Sequence, residues 1–172
     1  GVMGPDGKGE SFGLKEPISI ISGTFGKAFG SGGAFLATDK ITGENLIQNC
    51  GAFRYTTALA PPLCASALAA LNLIESNPNW CKRLREKSLA LRDRLCQIGW
   101  QRPVGGGPII SIILGSDEVA MVYQKRLEEQ GLLTVAIRPP TVPEGKSRLR
   151  LVIRRNTPVH AYERLIKVLE NK

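Results

Sequence analysis

Residues 63–75 run at helical density in Ala and Leu, directly after Pro61 and Pro62, whose missing N–H groups cost nothing in the first turn of a helix. Such a helix is apolar nearly all round, which leaves no face suited to water and predicts burial between other elements. That requirement favours a layered globular fold over disorder. Neither this run nor residues 108–114 approaches the ~20 unbroken apolar residues of a bilayer span. The chain is therefore expected to be soluble and cytoplasmic, without a membrane partner.

Segments of both periods surround this helix. Ile18-Ser19-Ile20-Ile21-Ser22 is short and β-branched and leads into a Gly-punctuated loop, and Gly32-Gly33-Ala34-Phe35-Leu36-Ala37-Thr38 reads as a second strand with Asp39-Lys40 at its turn. Lys27 is thereby placed in a loop at a sheet edge. A short helix is expected over 41–50, followed by Phe53-Arg54-Tyr55-Thr56-Thr57 as an extended segment. Asn77-Pro78-Asn79 breaks the apolar helix. Residues 80–98 then begin another, with Trp80, Leu84, Lys87, Ser88, Leu91 and Leu95 along one side and Gly99 closing it. Beyond it come a strand over 108–114, a helix over 117–130 stopped by Gly131, strands near 133–137 and 147–153, and a last helix over 158–169. The alternation predicts an α/β fold, with a boundary between residues 1–77 and a small α/β domain, residues 78–172.

A chain of 172 residues is long enough for one ordinary domain or two partial ones. Its Gly-rich opening, Gly1 to Gly9, lacks the apolar core and cleavage pattern of a targeting peptide and does not resemble the start of a domain. The net charge of +8 raises nucleic acid as a partner. The basic residues are mixed with acidic ones along helices and lack interleaved aromatics, so anionic small molecules or an acyl carrier suit the charge better and no nucleic acid is expected. Lys82-Arg83-Leu84-Arg85-Glu86-Lys87 reads as a solvated helix face. Cys50, Cys64, Cys81 and Cys96 are irregularly spaced and the chain has a single histidine, so no metal site is expected; the cysteines read as small buried hydrophobes, Cys64 above all.

Lys27 lies in Gly23-Thr24-Phe25-Gly26-Lys27-Ala28-Phe29-Gly30, with Gly32 and Gly33 just beyond. Small neighbours let a planar cofactor approach the backbone, and an unprotonated lysine amine there can form a Schiff base. An exposed lysine in a glycine turn is the plainer alternative. A phosphate-cradling P-loop is excluded by spacing, since no glycine stands five residues before Gly26 and Ala28 follows the lysine. In Ser147-Arg148-Leu149-Arg150-Leu151-Val152-Ile153 the strand period sends Leu149, Leu151 and Ile153 to one face and Arg148 and Arg150 to the other. A planar guanidinium on that second face matches a carboxylate bidentately, although solvated edge-strand arginines would show the same pattern. Arg138-Pro139-Pro140-Thr141 is a stiff turn that presents Arg138 and Thr141.

The lysine segment, Phe53-Arg54-Tyr55-Thr56-Thr57-Ala58-Leu59, and Ala136-Ile137-Arg138-Pro139-Pro140-Thr141-Val142-Pro143 with Ser147-Arg148-Leu149-Arg150-Leu151 occur in the order in which the α-oxoamine synthases carry similar segments. The chain resembles that family, within the fold type I pyridoxal-phosphate enzymes, over its whole length. The resemblance implies the C-terminal part of a pyridoxal-phosphate-dependent transferase: the end of the large-domain sheet plus a small α/β C-terminal domain. Gly1-Val2-Met3-Gly4 resembles the residues after the family's Asp-x-Ala-His segment, so the cofactor's ring-binding groups are expected upstream, and His160 is not expected to replace them. The resemblance further implies Lys27 as the Schiff-base lysine and base, Thr24 at the cofactor phosphate, and Thr57 with Thr56 at the phosphate of a neighbouring subunit. It implies Arg150 at the amino acid's carboxylate, with Arg138 and Thr141 lining the substrate entrance. The implied reaction joins alanine to a pimeloyl thioester, as in biotin synthesis, in a homodimer or a complex with an N-terminal half. Glycine or serine with another acyl-CoA, or a non-catalytic fragment, remain alternatives.

Overall fold

The computed structural model of the chain describes residues 18–170, so the Gly-rich opening segment lies outside the described residues. They divide into two compact units between Pro78 and Asn79.

The first unit opens with an antiparallel hairpin of β1, Ile20–Thr24, and β2, Ala34–Thr38, in register from Ile20 opposite Thr38 to Thr24 opposite Ala34. Asp39 is more than the expected turn residue. Its carboxylate accepts from Thr42 N at 2.9 Å and from the Thr42 hydroxyl at 2.7 Å, capping α1, Lys40–Asn49. The extended segment expected at Phe53 and Arg54 is instead helical. Cys50 O accepts from Phe53 N and Arg54 N, and Gly51 O from Tyr55 N, forming α2, Gly51–Arg54. Local hydrogen bonds here outweigh the strand preference of the aromatics.

α3 forms over Pro61–Glu75 with its prolines in the first turn. Its expected burial does not hold: none of its residues is buried, and Leu68 and Leu73 are 59% and 56% exposed. Cys64, expected inside, is exposed for the same reason; in the second unit Cys96 is exposed as well. A two-stranded sheet and two short helices offer too little apolar surface to enclose a helix that is greasy all round. Among the described residues 18–78 not one is buried.

The second unit has its own core. α4, Asn79–Gln97, turns Ser88, Leu91, Arg92 and Leu95 inward. β3, Ile109–Gly115, pairs antiparallel with β5, Ser147–Val152, which pairs antiparallel with β4, Val135–Ile137, giving the order β3-β5-β4. α5, Asp117–Glu129, is capped by the Ser116 hydroxyl, and α6, Val159–Glu170, completes the layer. Ile110, Ile112, Leu149 and Leu151 meet Leu95, Leu127, Ile166 and Leu169 on the covered face of the sheet. Trp100 donates from Nε1 to Leu169 O at 2.9 Å and lies edge-on to Tyr123, fastening the loop after α4 to this core.

Candidate functional site

The loop that carries Lys27 is a folded object. Phe25 N donates to Gly33 O at 3.0 Å and Ser31 N to Phe25 O at 2.9 Å, drawing its two limbs together, while Gly30 N donates to Lys27 O at 3.0 Å and turns the tip. Phe25 packs on Phe29 and Phe35 with ring centroids 5.2 and 5.4 Å apart. The Ser31 hydroxyl donates to Leu63 O at 2.7 Å and pins the loop to the first turn of α3. Lys27 itself is exposed at the tip.

Two of the glycines have causes within the chain. A Cβ on Gly23 would lie 2.3 Å from the Phe35 ring. Gly33 adopts φ +91°, and a Cβ there would sit 2.4 Å from Leu59 Cδ1. These positions are small to admit Phe35 and Leu59. The open side of the loop is at Gly30, where a Cβ would meet nothing within 4 Å.

The threonines differ in how free they are. The Thr24 hydroxyl accepts from Gly26 N at 3.1 Å and makes a long 3.3 Å donation to Gly33 O, so it already braces the loop. The Thr56 hydroxyl donates to Ala52 O at the end of α2. Thr57 is exposed beside it.

In the second unit the strand alternation of β5 is as the period requires: Ser147, Leu149 and Leu151 are buried, Arg148 is half-buried and Arg150 exposed. Arg150 stands between Ser111 of β3 and Val135 of β4, and Arg148 between Ile113 and Ile137. The sheet face opposite the helices is thus an apolar field with two guanidiniums in it. The turn that follows β4 is closed by Thr141 N donating to Arg138 O at 3.0 Å, around a cis Pro139–Pro140 bond. Arg138 lies three residues beyond the partner of Arg150, about 10 Å along the strand. Among the described residues the ion pairs are Lys40–Glu44, Arg94–Glu170 and Arg102–Asp93, so neither Arg138, Arg148 nor Arg150 is matched to an acid. Arg148 already donates from Nε to Lys146 O at 3.0 Å. His160 is exposed at the start of α6. Among the described residues no three metal-ligating side chains come together, and no helix is long and apolar enough to cross a membrane.

Sequence reasoning missed Arg92. It is fully buried, donating to Ser88 O at 3.2 Å, to the Ser88 hydroxyl and to Ile109 O at 2.9 Å, while its Nε has no partner among the described residues. Burial, and then the charge of Arg102, pushes its pKa down. In the sequence it reads as one more cation on a basic helix, although its spacing of four from Ser88 and three from Leu95 puts it on the side that those residues line. Ser31 was invisible, since its partner Leu63 is 32 positions away.

Residues 1–169 match the family described as aminotransferase class I and II. The chain belongs to that family. Over 99% of its length it is 42% identical to a putative 8-amino-7-oxononanoate synthase of Acetivibrio thermocellus, of which it covers 44%. A solved structure of SPT with PLP superimposes on 97% of the chain at a TM-score of 0.86 with 25% identity, the chain covering 43% of it. The 8-amino-7-oxononanoate synthase of Francisella tularensis superimposes on 88% of the chain at a TM-score of 0.75 with 27% identity, 44% of that protein being covered. This member of the family therefore spans less than half the length of these relatives. Its fold is that of the pyridoxal-phosphate-dependent transferases, and pyridoxal phosphate is the cofactor that membership implies. The residues present fit the group in part: an exposed primary amine on a braced loop with an open side suits its aldehyde, and exposed hydroxyls suit its phosphate.

Proposed function

We propose that the chain carries the lysine-bearing and carboxylate-binding portions of an 8-amino-7-oxononanoate synthase. The reaction joins L-alanine to a pimeloyl thioester, on coenzyme A or an acyl carrier protein, with loss of carbon dioxide. The observation that carries this reading is the 42% identity over 99% of the chain to the Acetivibrio thermocellus relative. The activity is proposed for the complete family fold, of which these residues form a part.

When bound, pyridoxal phosphate supplies an aldehyde for amines and an electron sink for the charge left on the amino acid's Cα. Lys27 Nζ would hold the group, and as an amine close to the amino acid's Cα it would take up and return the proton there. The braced loop serves that double task, because proton transfer needs Nζ held within hydrogen-bond reach of one atom. Arg150 grips the amino acid's carboxylate, and Arg138 and Thr141 line the substrate entrance from their stiff turn. Thr57 donates to the phosphate in a neighbouring subunit of a homodimer, and Thr56 beside it joins only by giving up its bond to Ala52 O. Thr24 does so only by giving up its long bond to Gly33 O.

Borohydride trapping with pyridoxal phosphate, in a complex that completes the family fold, followed by peptide mass mapping, should place the adduct on Lys27 alone. Adducts scattered over surface lysines, or undiminished labelling of Lys27→Ala, would sink the assignment. A second reading, glycine or serine as the amino acid with a different acyl-CoA, is favoured by the likeness to SPT with PLP. Product analysis with alanine, glycine and serine decides between them.

A further inference from the structure

Lys27 and Thr57 are distant in sequence, yet one set of contacts ties their surroundings together. Three consecutive residues of the limb that returns from Lys27 meet a single stretch of chain. The Ser31 hydroxyl donates to Leu63 O at 2.7 Å. Gly32 lies against the Leu63 side chain, where a Cβ would be 3.2 Å from Cδ1. Gly33 lies against Leu59, where a Cβ would be 2.4 Å from Cδ1 and 3.1 Å from Cδ2, so a side chain there would force Leu59 out of its seat. The outgoing limb reaches the same point, since Phe25 N and the Thr24 hydroxyl both donate to Gly33 O, at 3.0 and 3.3 Å. Both limbs of the lysine loop therefore converge where Leu59 sits.

The segment before α3 depends on that seat. Residues 57–60 belong to no helix or strand, and no backbone hydrogen bond among the described residues is donated by the amides of Thr57, Ala58 or Leu59. Its ends are fixed by α2 and α3. Between them the Leu59 side chain fastens it to the lysine loop. Thr57 stands two residues before Leu59, at most about 7 Å along the backbone, so a shift of Leu59 moves the Thr57 hydroxyl with it.

With Lys27 serving its own subunit and Thr57 the phosphate of the neighbouring one, each chain contacts two copies of the same group through two segments that share Gly33 and Leu63. Settling either segment costs conformational entropy, and the shared contacts lower that cost for the second. We propose that Leu59 and Ser31 are positioning residues that couple the two sites: phosphate held by Thr57 at one favours attachment at Lys27 of the other, and the reverse. In the attachment Lys27 Nζ and the aldehyde carbon form a C=N bond, and the carbonyl oxygen leaves as water with the two amine hydrogens. The inference rests on the assignment of Lys27 and Thr57 proposed above.

Pyridoxal, which has the aldehyde but no phosphate, separates coupling from packing. Both aldehydes are titrated against a complex of two copies that completes the family fold. Attachment is followed by absorbance and located by borohydride trapping with peptide mapping. In the parent, pyridoxal phosphate should load with a Hill coefficient of about 1.5, equivalent to roughly tenfold coupling, and pyridoxal with one of about 1. Leu59→Ala and Ser31→Ala should each lower the coefficient for pyridoxal phosphate to about 1 and raise its half-saturating concentration about threefold, while that for pyridoxal changes by less than about twofold. Leu59→Met and Ser31→Thr, which keep the side-chain volume and the hydroxyl, should restore the parent's behaviour. Equal weakening of both aldehydes in the alanine variants makes Leu59 and Ser31 packing residues only and overturns the proposal. So do variants that keep the parent's coefficient, or a parent that loads without cooperativity although the adduct is on Lys27. A parent in which neither aldehyde attaches to Lys27 refutes the lysine assignment itself, and the coupling with it, so the two failures are told apart.

Discussion

Ser31 and Arg92 are single side chains whose importance comes from what lies far away in sequence. The Ser31 hydroxyl reaches Leu63 O and ties the Lys27 loop to α3. Ser31→Ala should cost about 1 kcal/mol of local stability, read as faster exchange of the Phe25 and Ser31 amides, with Ser31→Thr restoring it. Equal exchange in Ser31→Ala and the parent would remove this residue from the positioning of Lys27. Arg92 closes α4 onto the start of β3 through Ile109 O. Arg92→Ala should destabilise the second unit by roughly 3 kcal/mol, whereas Arg92→Met, which keeps much of the volume without the charge, should cost far less. Urea unfolding followed by the fluorescence of Trp80 and Trp100 separates the two. At this scale the candidate site was partly legible. Lys27 and Arg150 stand in motifs of sequence-adjacent residues, whereas Ser31 and Arg92 act through partners that only folding supplies.

Among the elements, α1 depends on its Asp39 cap. Hydrogen bonds from the Thr42 hydroxyl, and then from Thr42 N, hold the Asp39 carboxyl below its ordinary value. A carboxylate whose folded pKa is depressed contributes stability above its unfolded pKa and loses it as pH falls through the folded one. Protection of the α1 amides should therefore be constant near neutrality and decline only in acid, below about pH 4. Asp39→Asn, which keeps an acceptor, should abolish the pH dependence while leaving α1 helical; a decline that persists in Asp39→Asn would locate its cause elsewhere. Strand β5 was legible because a two-residue period needs no knowledge of its neighbours. The segment at Phe53 and Arg54 was misread because residue preference favoured a strand while the Cys50 and Gly51 carbonyls captured its amides. α3 was found in place but not in environment. Composition says that such a helix must be covered; it does not say by which polypeptide.

Across the whole molecule, stability should be uneven. The second unit holds every buried apolar residue among those described, and the first holds none. Limited proteolysis of the intact chain should cut within residues 18–78 first and leave a resistant fragment beginning close to Asn79. A cut first within residues 117–153 would contradict this ordering. The resistance should track apolar burial, since opening a segment without a core exposes little new surface to water.

By itself the sequence determined what local pattern can carry: the α/β alternation, the glycine-bracketed Lys27, the arginine face of β5 and the Arg138–Thr141 turn. Each depends on residue type and spacing along one stretch of backbone. Tertiary structure alone decided that Gly23 and Gly33 make room for Phe35 and Leu59, that Thr24 and Ser31 brace the lysine loop, that Arg92 is buried, and that α3 is left uncovered in this chain. Burial and long-range hydrogen bonds depend on which surfaces meet, and a linear pattern holds no record of that.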